Sequence, residues 1–180
     1  LWHQICWLKS HPESCHGGNH WIENLTALAI GGSQFKGIFS KNILNFSLKQ
    51  LKKELNFQIL KDGGHQERSV SYHLLVLNRL VELGCVLELT YGSAPDWLCK
   101  YIEKMINWTE SIKLLNRNFP SFNDSANDGF NDFYKILDFA KGFLKGSKMD
   151  VNGYKGKLLE LTLKKRKGTY HSNILDKKNN

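Results

Sequence analysis

The sequence lacks the cysteine spacing of a disulfide framework or of a zinc site. Its four cysteines are Cys6, Cys15, Cys85 and Cys99, and no two of them form a C-x-x-C pair. In a chain of 180 residues, irregularly spaced cysteines do not indicate a small disulfide-stapled fold. Histidines and cysteines are dense between residues 3 and 20, but their spacings match no common zinc motif. We therefore predict no metal site and no cofactor.

The sequence also has little sign of strands, of a membrane span or of a signal peptide. No convincing alternation of apolar and polar residues occurs before about Lys157, so strands are not expected to build the core. We predict no membrane span either. The chain starts at Leu1, in a segment that reads as the middle of a helix, and we expect a fragment whose natural N-terminus is missing. A missing start leaves the localisation open at this point.

Acidic residues are outnumbered by basic ones, and the formal net charge is +8. Such an excess favours an anionic partner, whether nucleic acid, a membrane surface or an acidic polysaccharide. Much of it lies in residues 164–167 and 177–178, and a charge run of this kind is usually a solvated tail. No recognition-helix pattern accompanies the charge, so nucleic acid is not the expected partner.

Apolar residues recur at helical spacing through most of the chain, which predicts an all-α fold. The six predicted helices cover about 1–10, about 19–35 with a break near Gly31-Gly32, and then segments starting at Ser40, Ser69, Pro95 and after Gly129. Ser40 and Ser69 are predicted N-caps, and Pro95 is predicted as a first helical residue. The helical pattern ends near residue 145. We predict one helical domain over 1–145 and an irregular, basic, poorly packed tail over 146–180.

Three polar, glycine-containing segments are predicted to meet at one end of these helices. They are residues 17–21, 62–73 and 122–129, which precede or open the second, fourth and sixth helices. Helices joined by short loops are usually antiparallel neighbours, so every second helix starts at the same end. Functional residues concentrate in loops held by rigid elements. The three segments, here called the rim segments, therefore predict a cleft.

At the rim segments the chain resembles the heparinase II/III-like polysaccharide lyases, specifically their N-terminal α-helical toroid domain. The matching residues are 18–29, 58–69 with Tyr72-His73, and 122–125, in the order of the family. The resemblance covers about residues 2–128 and implies an incomplete α/α toroid of antiparallel helical hairpins. In complete members a β-sandwich domain follows, and we expect that domain to be missing from this chain. The resemblance also implies an acidic polysaccharide as partner and a periplasmic or secreted protein.

Family members cleave uronic-acid-containing polysaccharides by β-elimination, and the resemblance implies catalytic roles for three residues. Asn19 would neutralise the uronate carboxylate, His20 would be its base partner, and Tyr72 would act as acid and, for some stereochemistries, as base. A neutral or cationic donor is needed so that the carbon beside the carboxylate loses its proton. An acid must then protonate the leaving glycosidic oxygen. A tyrosine acting as base needs its pKa lowered by a cation such as Arg68.

Six further residues are candidates for substrate binding, namely His65, Glu67, Arg68, His73, Asn123 and Asp124. Several site residues also have a purely structural alternative. Asn19 is a suitable N-cap, and Asn123 or Asp124 would cap the sixth helix. Glu67 and Arg68 would form a local ion pair. The function has an alternative too: a non-catalytic or degenerate carbohydrate-binding helical module.

Overall fold

A computed structural model of the chain describes residues 1–15, 17–113, 120, 123–125, 130–147 and 153–168. The helices of this part are α1 (Trp2–Ser10), α2 (Gly18–Ser33), α3 (Ile38–Gln58), α4 (Val70–Tyr91), α5 (Asp96–Ser111), α6 (Phe130–Lys145) and α7 (Gly153–Arg166). The described residues contain no strand, only one antiparallel bridge between Ile59 and His65. The all-α prediction is confirmed. The toroidal arrangement of the hairpins remains a prediction.

Helix α4 forms the centre of the core. Its completely buried leucines are Leu74, Leu77, Leu80 and Leu83. Helices α2, α5, α6 and α7 all pack against it, and burying one such side chain contributes roughly 1.5–3 kcal/mol relative to exposure. The helix begins where the sequence predicts, because the Ser69 hydroxyl accepts a hydrogen bond from the Tyr72 backbone N–H. It ends at Gly92, whose φ of 91° suits glycine.

Helix α2 continues through Gly31 and Gly32 to Ser33, whereas the sequence predicts a break at the two glycines. Both are sites of close helix contact. A Cβ on Gly31 would lie 2.1 Å from Ile5 Cδ1, and one on Gly32 would lie 3.0 Å from the backbone nitrogen of Leu44. The glycines therefore serve the packing of α1 and α3 against α2.

Two other helix starts differ slightly from the predictions. Helix α3 begins earlier than expected, with Gly37 (φ 112°) as its N-cap instead of Ser40. The Ser40 hydroxyl lies 2.5 Å from the carbonyl oxygen of Gly32 and 2.9 Å from that of Phe35, so it binds the end of α2. Pro95 is the N-cap of α5 and not its first residue.

Helices α2 and α4 start at the same end of the fold. Asn19, in the first turn of α2, contacts Glu67 just before α4. Further along, Glu23 of α2 forms an ion pair with Arg79 of α4. Contacts in the same chain order show that the two helices run side by side in the same direction. Helix alternation predicts this arrangement.

The prediction of an irregular tail is wrong for residues 153–166. These residues form α7, which packs against α4 and α6. Its buried side chains are Leu159, Thr162 and Leu163. Arg166 donates hydrogen bonds to both carboxylate oxygens of Glu88 on α4 and to the Phe143 carbonyl on α6. Lys165 also contacts α4, because its Nζ donates to the Leu89 carbonyl oxygen at 2.6 Å. The run of basic residues therefore belongs to a packed helix and not to a solvated tail. Residues 169–180 lie outside the described residues, and the boundary near residue 145 stays a prediction.

By length and composition alone, α4 is apolar enough to cross a membrane. However, 72% of that apolar stretch is buried inside the protein, as in the core helix of a compact domain. Packing accounts for its apolar character, and the finding is weak evidence for a span. The prediction of no membrane span stays a prediction.

Candidate active site

Glu67 connects the first two rim segments. Its Oε1 accepts a hydrogen bond from the Asn19 backbone N–H at 2.7 Å, and its Oε2 accepts one from the Asn19 side-chain amide at 3.2 Å. This approach requires Gly18, since a Cβ there would lie 2.3 Å from Glu67 Oε1 and the φ is +54°. Gly17 is the N-cap of α2, with no side-chain cap. Asn19 is therefore not the N-cap, and a carboxylate holds its amide.

Asn123 brings the third rim segment against the second. Its Nδ2 donates to the Glu67 carbonyl oxygen at 3.1 Å and lies 3.5 Å from that of Arg68. Arg68 (φ 53°) and Asn123 (φ 46°) both have left-handed backbone, which costs roughly 1–2 kcal/mol for a residue such as arginine. Such strain persists where surrounding contacts fix it. The expected ion pair between Glu67 and Arg68 is absent from the described structure, because Glu67 binds Asn19 instead.

Ser125 fixes the start of α4 from the third rim segment. Its Oγ accepts a hydrogen bond from the Val70 backbone N–H at 2.8 Å and lies 3.2 Å from the Ser69 Oγ. Ser69 in turn caps α4 through the Tyr72 N–H. The first turn of α4, which carries Tyr72, is therefore held by residues of two rim segments.

The rim segments meet, and they differ in what they expose to solvent. Their exposed candidates are His20, Arg68, Asn123 and Asp124. Tyr72 is half-buried, while Asn19 is only 6% exposed. Phe122 and residues 126–129 lie outside the described residues. A substrate reaching this surface would meet the exposed groups and the half-buried Tyr72 before the amide of Asn19.

His65 lies inside the protein, which differs from its expected contact with substrate. Its side chain is buried, and its Nε2 lies 3.0 Å from Gln58 Oε1. Burial lowers the pKa of His65, although the nearby charge of Glu67 acts in the opposite direction. A buried neutral imidazole with a side-chain partner stabilises the loop. It has almost no surface to offer a polysaccharide.

His73 is also enclosed, and it fastens the second rim segment to α5. Its Nε2 lies 2.9 Å from Thr109 Oγ1 and 3.2 Å from the Met105 carbonyl oxygen, and its ring packs on Trp108 at 4.4 Å between centroids. Trp108 also covers Gly64, where a Cβ would lie 2.8 Å from the indole nitrogen. Burial lowers the pKa of His73 to about 3. The expected substrate contact of His73 does not fit this position.

A comparison with protein families agrees with the resemblance of the rim segments. The family described as Heparinase II/III N-terminus matches residues 3–147, a stretch that contains all three segments. The chain belongs to the heparinase II/III N-terminal family. Searches of the curated proteins and of the solved structures give no match.

In this heparinase II/III N-terminal domain, Glu13 is a neighbour of the site that the sequence did not reveal. Its Oε2 lies 3.4 Å from His20 Nδ1 and accepts a hydrogen bond from Asn24 at 3.2 Å. The contact joins the loop after α1 to the start of α2, and no residue spacing signals it.

No grouping suited to a metal ion occurs in the part of the chain that the structure describes. There, no three His, Cys, Asp or Glu side chains lie together in that way. His16, one of the residues in the dense N-terminal stretch, lies outside that part. The described side chains at the rim offer hydroxyl, imidazole, amide, guanidinium and carboxylate groups.

Proposed function

We propose that this chain is the N-terminal helical domain of a polysaccharide lyase that cleaves an acidic, uronic-acid-containing polysaccharide by β-elimination. One observation carries the proposal: the three rim segments are bonded together in a member of the heparinase II/III N-terminal family. The family relationship supports a lyase connection, and the rim supplies the groups that the reaction needs. The proposal includes no metal and no cofactor.

Tyr72 and His20 are the proposed proton-transfer groups. In β-elimination a proton leaves the carbon beside the uronate carboxylate, and its electron pair forms the new double bond. The bond to the glycosidic oxygen breaks, and that oxygen takes up a proton. Tyr72, half-buried in the first turn of α4, supplies a hydroxyl that can donate this proton. His20, exposed in the first turn of α2 beside Glu13, is the proposed base partner.

Arg68 is the proposed cation for the uronate carboxylate. Its guanidinium is exposed, and it forms no ion pair within the described residues. A guanidinium matches the geometry of a carboxylate and binds it through two parallel hydrogen bonds. The left-handed backbone of Arg68, held by Asn123, fixes where this side chain leaves the loop. Asn123 and Asp124 are proposed as further polar contacts on the same surface.

Glu67 limits what Asn19 can do. An amide nitrogen carries two N–H groups, and the Glu67 carboxylate takes one of them. The second remains for the uronate carboxylate, but the charge of Glu67 opposes a second carboxylate nearby. In our proposal Arg68 offsets that repulsion, and Glu67 orients the amide instead of touching the substrate. Sequence alone placed Glu67 among the substrate-binding residues.

The second candidate is a non-catalytic or degenerate carbohydrate-binding module. The hydrogen bond from the Asn19 amide to Glu67 favours this module. An amide that is only 6% exposed and already bound to a carboxylate is poorly accessible to a substrate. Binding without turnover is the property that separates this candidate from a lyase.

Incubation with a panel of polysaccharides tests the proposal. The protein, as this chain and joined to any sequence encoded directly downstream, is mixed with heparan sulfate, alginate, other uronans and a neutral glucan as control. Ultraviolet absorbance detects the unsaturated product. We expect product from at least one uronan and none from the glucan. Binding of a uronan without product would favour the degenerate module, and the absence of both, with folding confirmed by circular dichroism, would contradict both candidates.

A further inference from the structure

A pocket lies at the end of the helices opposite to the rim segments. It is bounded by the end of α2, the start of α3, the end of α4 and the loop before α5. Its apolar lining comes from Phe35, Leu44, Leu48, Leu87, Tyr91 and Pro95. Leu87 and Tyr91 are in the last turns of α4, whereas Tyr72 is in the first. At 1.5 Å per residue, the pocket and the proposed active site are roughly 22–29 Å apart along this helix.

The pocket has the size of a small-molecule site. Its volume is about 560 Å³, within the usual range of roughly 300–1,000 Å³ for ligand pockets. The lining is mainly apolar, with polar groups at a few positions such as Asn45 and Ser93. Such a lining takes the hydrocarbon part of one small molecule, because removing apolar surface from water is favourable.

The charged side chains that line the pocket are all basic. Lys36 and Lys41 both line it, and none of its lining residues is acidic. Both lysines are exposed, and neither side chain forms an ion pair or hydrogen bond within the part of the chain that the structure describes. Gly37, which also lines the pocket, is the N-cap of α3 and provides no side-chain cap. The positive end of the helix dipole therefore adds to the two ammonium groups.

The pocket combines apolar walls with two lysines that form no ion pair within the described residues. A ligand with a hydrocarbon part and one negative charge matches both features. We propose that this pocket binds a free medium-chain fatty acid or a similar aliphatic carboxylate, with its chain against Leu48, Leu87 and Tyr91 and its carboxylate at Lys36 and Lys41. The finite volume fits one such molecule. A polysaccharide chain, which is polar along its whole length, does not match these walls. The proposal is independent of the lyase function.

Calorimetric titration of the 180-residue chain with dodecanoate tests the proposal. We expect saturable binding of one molecule per chain. The double variant Lys36→Gln/Lys41→Gln should bind about tenfold more weakly, because two partly exposed ion pairs contribute at that level. The matched control is Lys52→Gln/Lys53→Gln, which removes two exposed lysines of α3 outside the pocket and should bind like the original chain.

A second variant tests the apolar walls. Leu48→Trp places a larger side chain in the pocket and should abolish dodecanoate binding while circular dichroism shows an unchanged helix content. Dodecyltrimethylammonium, which has the same chain and the opposite charge, should bind at least tenfold more weakly than dodecanoate.

Three results would overturn the proposal. The first is no saturable binding of dodecanoate, and the second is equal loss of binding in both lysine double variants or in neither. The third is a dimer in sedimentation that Leu48→Trp disperses, since a second copy of the chain would then be the occupant of the apolar surface.

Discussion

Under the proposed mechanism, replacing Tyr72 by phenylalanine should lower kcat by about 10²- to 10⁴-fold, the usual contribution of a general acid or base. The substitution removes only the hydroxyl, and the hydroxyl forms no hydrogen bond within the described residues. The ring keeps its half-buried place in the first turn of α4, so folding and polysaccharide binding should change little. The expected result is lost turnover with an almost unchanged Kd for the uronan that gives product.

Tyr91 provides the matched control for Tyr72. It is an exposed tyrosine at the other end of the same helix, and Tyr91→Phe should leave turnover as it was. Initial rates from product absorbance and affinities from calorimetry are measured on both variants. An unchanged rate for Tyr72→Phe would remove Tyr72 from the mechanism. Equal rate losses in both variants would indicate a general effect of the substitution on α4.

Acidification from pH 7 to pH 5 should lower the free energy of unfolding by about 2 kcal/mol through His73 alone. Burial lowers the pKa of His73 from 6.5 to about 3. Between these two values the imidazole is protonated in the unfolded chain and neutral in the folded protein. The free energy of unfolding is therefore unaffected by protonation of His73 above the unfolded pKa of 6.5. It decreases as the pH falls from there towards the folded-state pKa of about 3. The cause is visible in the structure: the ring is buried, and its Nδ1 has no hydrogen-bond partner within the described residues. His65, whose pKa is lowered in the same direction by burial, adds to the effect.

Urea denaturation at several pH values measures this dependence. His73→Gln should lower stability at pH 7 and remove much of the slope between pH 7 and pH 5. His3→Gln replaces an exposed histidine and should leave the slope unchanged. Equal slopes in the original chain and in His73→Gln would show that the folded protein accommodates the charged imidazole at position 73.

Local pattern predicted the helices well and their ends less well. The buried leucines of α4 recur at helical spacing, and Ser69 caps the helix as its residue type suggests. The start of α3 was misplaced because Ser40 binds carbonyl groups of the preceding helix end, a contact that depends on tertiary structure. The sequence does not predict α7, because its packing depends on contacts such as that of Arg166 with Glu88, 78 residues away in the chain, which composition alone does not show.

Helix alternation predicted which segments of the candidate site meet, but not which atoms do. Alternation predicted that residues 17–21 lie next to residues 62–73. The hydrogen bonds between Asn19 and Glu67 depend in addition on Gly18, where a Cβ would collide with the Glu67 carboxylate. The burial of His73 depends on a contact with Thr109, 36 residues away in the chain. No local signal separates such an interior histidine from one that meets the substrate.

The most direct test of the central claim is to locate a bound uronan oligosaccharide on the Tyr72→Phe variant, by NMR chemical-shift mapping or by a crystal structure of the complex. Our account predicts contacts at Arg68, at Asn123 and at position 72, with the Asn19 amide directed at a uronate carboxylate. An oligosaccharide bound only at the basic residues 164–167, or at the pocket beside Lys36 and Lys41, would contradict it.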